Sequence, residues 1–177
     1  AITAAVDEQD RRGQGLQAEL AVPLNAGLLI ALLLALPITL FGVLQAPRII
    51  ALLNNDSAVL AVAVEYFEWR VLAVLAVGLN FAFRGYWNGS HRSGVYMRTL
   101  VIMHLANVVI SYSLIHGLFG LPVMGAPGAG LGTSIALYLG ALLYGWQTWQ
   151  AGRSQGFLRK PPALIEVQAM LRLALPN

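Results

Sequence analysis

His104, Asn107 and Ser111 occur at i, i+3 and i+7 in a run otherwise composed mostly of Leu, Val, Ile and Met. A helix there carries its polar groups on one face. An amide and a hydroxyl on such a face can exchange hydrogen bonds with a passing solute or cation, or they can hold a neighbouring helix. Both readings stand for Asn107 and Ser111. The His104 imidazole can carry a proton near neutral pH, and its competing role is that of a structural donor. Earlier in the chain, Tyr66, Arg70, Asn80 and Arg84 project within a sector of roughly 120° at about 100° per residue, whereas Glu68 points away. An arginine inside an apolar segment costs several kcal/mol unless it meets a partner or water. Arg70 therefore faces the bundle interior or a cavity, or else snorkels to the outer headgroups or pairs with Glu65 or Glu68. For Asn80 a helix-packing hydrogen bond is favoured over ligand contact.

Other chemistry is poorly supplied. There is no cysteine, which removes disulfides, thiolate metal sites and a cysteine nucleophile together. His104 and His116 are too far apart along one helix to share an ion, and His91 sits in a basic loop as a solvated side chain. No serine has a histidine and an acid at a usable spacing, and no paired carboxylates lie within the apolar region, so no enzyme and no cofactor is expected. The glycine-rich run from Gly125 to Thr133 lacks the lysine of a phosphate-binding loop and the βαβ setting of a dinucleotide site. Gly128 and Gly132 instead have the small-xxx-small spacing that lets two membrane helices approach closely.

The elements that position these side chains follow from composition. Of the residues, 58% are hydrophobic and only 11% charged, too little polar surface for a water-soluble domain of this size. A formal net charge of +3 is too small to indicate nucleic acid and suits an anionic membrane surface. A hydrocarbon core of about 30 Å takes about 20 helical residues. Four segments qualify, at about 22-46, 57-87, 95-119 and 127-150. The first contains Pro37, the second follows the capping run Asn54 to Ser57, and the fourth opens with Pro127 in its first turn. Pro37 and the glycines at 128, 130, 132 and 140 are candidate pliable points.

Arg11 and Arg12 precede the first span, Arg84, Arg92 and Arg98 lie between the second and third, and Arg153, Arg159 and Lys160 follow the fourth. The intervening connections hold only Arg48 in one case and no basic residue in the other. The positive-inside rule places the basic side in the cytoplasm, so the first span runs outward and the fourth inward. Trp87, Trp146 and Trp149 then mark the inner interface, and Tyr66 and Trp69 lie near the outer one. Residues 163-177 form an amphipathic connecting helix that leads into a further span. Ala1 to Val6 reads as the end of an earlier helix and carries no signal-peptide pattern. Both termini read as cuts through a longer chain of the inner membrane.

Two phrases resemble the multidrug and toxic compound extrusion (MATE) family. Tyr66-x-x-x-Arg70 followed by Phe83-Arg84-Gly85-Tyr86-x-x-Gly89 resembles its fourth helix and the cytoplasmic loop after it. The run from Asn107-x-x-x-Ser111-Tyr112 through Gly117, Gly120, Pro122, Gly125 and Gly128-Ala129 to Gly132-Thr133 resembles its fifth helix and the start of its sixth. The resemblance implies an all-α, polytopic membrane bundle, a partial N-terminal six-helix lobe whose C-terminal lobe lies elsewhere in the same protein. It further implies a secondary transporter that exports amphipathic or cationic small molecules by alternating access, driven by inward H+ or Na+. Asn107 matches a polar-cavity position of relatives, while Ser111 stands where an Asn or Asp is often found. The competing readings are a lipid-linked oligosaccharide flippase of the related superfamily, which needs a more cationic cavity, and a non-transporting membrane scaffold whose polar stripes only pack helices.

Overall fold

A computed structural model describes the backbone of residues 2–54, 56–152 and 157, with side chains from 21 onward. The expected basic turn at Arg153, Arg159 and Lys160 and the amphipathic helix at 163-177 lie outside the described residues. The described chain is helical throughout apart from its connections. Five α-helices follow in order: α1 (Ile2–Ala51), α2 (Ser57–Leu72), α3 (Val74–Gly89), α4 (Ser93–His116) and α5 (Ala126–Gly152), with a short 3-10 turn at Leu118–Gly120.

The helix ends have local causes. Asp56 caps α2, its carboxylate accepting the Ala58 N–H at 2.9 Å. Gly117 ends α4 in the left-handed region at φ 69°, where a side chain would also collide with the following loop. That loop folds back to the freed carbonyls, Met124 N–H donating to Leu114 at 3.0 Å and Gly125 N–H to Ile115 at 3.3 Å.

Two boundaries differ from the sequence reading. A turn around Arg11 and Arg12 is expected before the first span, yet α1 is continuous from Ile2 and runs on through Pro23, Pro37 and Pro47. Glu, Gln, Arg, Leu and Ala in that stretch have high helix propensity, which outweighs Gly13 and Gly15. The apolar part of α1 is Ala21–Ala51, one of three described helices long and apolar enough to cross a membrane, with Ser93–His116 and Ala126–Ala151. The expected single span at 57-87 is divided at Ala73, which lies between α2 and α3 and whose N–H closes a tight turn onto Arg70 O at 3.2 Å. Hydroxyls from the flanking helices reach the carbonyls beside this break. Thr39 donates to Val71 O at 3.3 Å, Ser134 to Trp69 O at 2.5 Å and Tyr138 to Leu72 O at 2.7 Å. Ala73 is almost wholly buried. An irregular backbone is tolerated at membrane depth when protein surrounds it and satisfies its polar groups.

The helices form a row in which α5 lies between α4 on one side and the α2–α3 pair on the other, and α1 covers the far side of that pair. Small residues set the spacing. A Cβ on Gly78 would lie 2.9 Å from Ala31 Cβ of α1, and one on Gly130 would lie 2.9 Å from Tyr66 O of α2. On the other side of α5, a Cβ on Gly128 would lie 2.9 Å from the Leu114 carbonyl of α4. Lipid tails are as apolar as leucine, so helices associate through such close van der Waals packing rather than through water exclusion. Near the basic end, Leu24, Phe83, Tyr86, Trp87, Tyr144 and Phe157 form one buried cluster. The outer faces of α1 and α4 remain apolar and open: Leu44 is 66% exposed and Val108 67%. Lipid or further membrane helices can cover such surfaces, and water cannot do so cheaply. The fold is a multi-pass, all-helical membrane bundle.

Candidate functional site

Asn107 and Ser111 form a pair on α4. The Ser111 hydroxyl donates to Asn107 Oδ1 at 2.9 Å, and both side chains are half-buried. Gly132 of α5 brings the two helices together here, since a Cβ on it would lie 2.7 Å from Ser111 Cα. The bond between the pair runs along one helix, so it leaves the Asn107 amide N–H groups without a partner among the described residues. They are the groups available to a solute or to another segment. His104, although on the same helical stripe, turns outward and is exposed among Val101, Leu105 and Val108.

Asn80 of α3 has a different setting. Its Nδ2 donates to the Leu137 carbonyl of α5 at 2.9 Å, the packing bond between helices. Its Oδ1 is buried, without a hydrogen-bond partner among the described residues. Asn80 also lines a cavity of about 180 Å³ with Arg84 and Tyr96. Arg70 lies three residues before the break between α2 and α3. Its Nη1 is buried and unpartnered among the described residues, and neither Glu65 nor Glu68 forms an ion pair with it there. Tyr66, one turn earlier, is 40% exposed, and its backbone is where Gly130 packs. The structure thus pairs Asn107 with Ser111, leaves Arg70 about one turn and Tyr66 about two turns before the helix break, places Asn80 in a separate cavity, and puts His104 on an outer face.

Some polar groups at helix contacts escape the stripe argument. Thr99 is fully buried and exchanges hydrogen bonds with Gln147 of α5 at 3.0 and 3.1 Å. Ser134 and Tyr138, one turn apart on α5, serve the break in the neighbouring helix. Their i, i+4 spacing is the visible signal, but which carbonyls they meet depends on α5 packing against α2.

Residues 11–113 match the profile of the MatE family, which covers α4 up to Ser113 and so includes Asn107 and Ser111. The chain belongs to the MATE family. Among curated relatives of this MATE chain, a protein of Pseudomonas aeruginosa described as "Probable multidrug resistance protein NorM" is 33% identical over 168 residues, 92% of this chain and 31% of its own length. One of the same description from Streptococcus pneumoniae is 32% identical over 112 residues, 62% of this chain and 25% of its own. "Multidrug resistance protein NorM" of Vibrio cholerae is 29% identical over 131 residues, 74% of this chain and 28% of its own. This MATE chain therefore spans roughly a quarter to a third of the length of these relatives. No significant match to a solved structure is found.

Proposed function

We propose that this chain supplies most of the N-terminal lobe of a drug efflux transporter. It would export amphipathic or cationic compounds against an inward flow of H+ or Na+. The MATE match over α1 to α4 carries the reading, because it spans the helices that hold every candidate site residue and its curated relatives are named for multidrug resistance. The family is one of transporters, and no enzymatic step is assigned.

On this reading two helical lobes rock about a central cavity, and a cation bound in one conformation biases which side is open. Asn107 and Ser111 line that cavity, the amide offering its N–H groups and the hydroxyl reorienting as Oδ1 turns to a ligand. Arg70 completes a hydrogen bond with an acceptor in the remainder of the protein or with a solute. His104 serves as a proton relay only if another segment covers α4. The broken α2–α3 unit, held by three side-chain hydroxyls, and the glycine contacts along α5 permit movement without leaving backbone groups unsatisfied.

Expression of the full-length gene in a host stripped of its own drug pumps is expected to lower accumulation of a cationic dye such as ethidium severalfold. Dissipating the proton or the sodium gradient should abolish the effect and identify the coupling ion. Unchanged accumulation, together with loss of lipid-linked oligosaccharide translocation on gene deletion, would favour the flippase reading. Unchanged accumulation without such a loss would favour the scaffold.

A further inference from the structure

The 180 Å³ cavity lies between α3, α4 and α5, and its walls are mostly the apolar side chains Val77, Phe81, Leu100, Met103 and Leu137, with the amide of Asn80 among them. At one end stands Arg84, five residues before the last residue of α3, Gly89. Val77, at the other end, is two helical turns deeper, about 10 Å further into the span. The slot therefore has a cationic end at the level of the headgroups and an apolar body that descends toward the middle of the membrane.

Arg84 is held ready. Its guanidinium lies over the Tyr96 ring at 5.4 Å, and the Tyr144 ring stacks on Tyr96 with centroids 6.2 Å apart. Tyr144 is 1% exposed, and its hydroxyl donates to the Tyr96 carbonyl at 2.9 Å, which fixes α4 at this point. A guanidinium held over an aromatic ring keeps N–H groups for a bidentate acceptor such as two oxygens of a phosphate. None of those groups is engaged by a described residue. Arg84 itself is exposed and Phe81 is 62% exposed, so the slot is open at these two lining residues.

We propose that this slot binds an anionic phospholipid, its phosphate on Arg84 and part of one acyl chain between α3 and α4. A free phosphate satisfies the arginine and leaves the apolar walls empty. A neutral lipid fills the walls and leaves the charge uncompensated. The combination matches one occupant, and the basic end of the bundle, with Arg92 and Arg98 nearby in the sequence, carries the sign that attracts it.

The test uses the purified full-length protein and native mass spectrometry after equilibration with vesicles of phosphatidylglycerol, of phosphatidylcholine, or with inorganic phosphate alone. Phosphatidylglycerol should be retained about fivefold more than phosphatidylcholine, the ratio that corresponds to about 1 kcal/mol for one arginine at a membrane surface. Arg84→Gln should reduce that ratio to about one. Leu100→Trp, which fills the slot and keeps the charge, should lower retention of both lipids. Equal retention of the two lipids by the unaltered protein would overturn the proposal, as would a preference that survives both substitutions. Retention of inorganic phosphate as strong as that of phosphatidylglycerol would show an anion site without a lipid. Retention of neither lipid would show that another segment of the protein fills the slot, and either result ends the proposal.

Discussion

Gly132→Val is expected to force α4 and α5 apart and to abolish export by the full-length protein, the largest loss anticipated for any single change in these helices. A valine Cβ would stand 2.7 Å from Ser111 Cα and 2.8 Å from its backbone nitrogen. Backbone cannot swing aside as the end of a long side chain can, so the helices themselves must shift. Overpacking of this kind costs roughly 1–3 kcal/mol, and here it also displaces Ser111 from Asn107. Thermal unfolding of the detergent-purified protein should show a lowered midpoint, with dye export lost in parallel. Gly85→Ala is the matched comparison, because nothing lies within 4 Å of its added methyl group. Replacing a helical glycine with alanine at an open position should be neutral or stabilising by up to about 1 kcal/mol. If Gly132→Val behaves like Gly85→Ala, the α4–α5 contact has been misplaced.

The second expectation separates function from folding. Asn107→Ala should lower export about tenfold or more while the amount of protein in the membrane stays near that of the parent. The bond to Ser111 is internal to α4, so its loss breaks no contact between helices. The freed hydroxyl can turn to a backbone carbonyl one turn back, as Ser113 does with Val109 O at 2.7 Å. A solute that relied on the amide would lose a hydrogen bond worth about 1.5–3 kcal/mol if the solute is charged, which is a factor of ten or more. Asn80→Ala should show the opposite balance. It removes the bond to Leu137 O that ties α3 to α5, so abundance and thermal stability should fall first. Immunoblots of membrane fractions beside dye-export rates distinguish the two outcomes. Equal losses of abundance in both variants would place Asn107 among the packing residues.

Much of the architecture is legible before any coordinates are known. The apolar runs that become α1, α4 and α5 are long and poorly charged, Gly117 marks the end of α4 and Pro127 lies in the first turn of α5. The small-xxx-small pair Gly128 and Gly132 announces a close contact, and the contact is with α4. The break at Ala73 has no such signal. Neither glycine nor proline marks it, and the hydroxyls that satisfy the carbonyls around it come from Thr39, Ser134 and Tyr138, distant in the chain. The helix around Arg11 and Arg12 is missed for a related reason: charge density suggests a turn, whereas the residue types there favour a helix.

Helical spacing also overstates how far side chains act together. His104, Asn107 and Ser111 share a sector of α4, yet a shared sector does not fix what each side chain meets: Asn107 and Ser111 are half-buried and bond to each other, while His104 is exposed. Arg70 and Asn80 share a stripe only if one straight helix joins them, and the break between α2 and α3 lies between them. The cavity beside Arg84 is walled by side chains from three consecutive helices, α3, α4 and α5, and no motif in any one of them outlines it.

The central claim is that Asn107 borders a water-filled path used by the exported compound and is not sealed in a dry helix contact. This chain has no cysteine of its own, so Asn107→Cys can be read cleanly in the full-length protein once any cysteines elsewhere are replaced. A membrane-impermeant, water-soluble thiol reagent should modify that cysteine in inverted or right-side-out vesicles, and a saturating concentration of an exported cation should slow the modification. A cysteine at 107 that stays inert from both sides, or reacts at a rate no compound alters, would contradict the account.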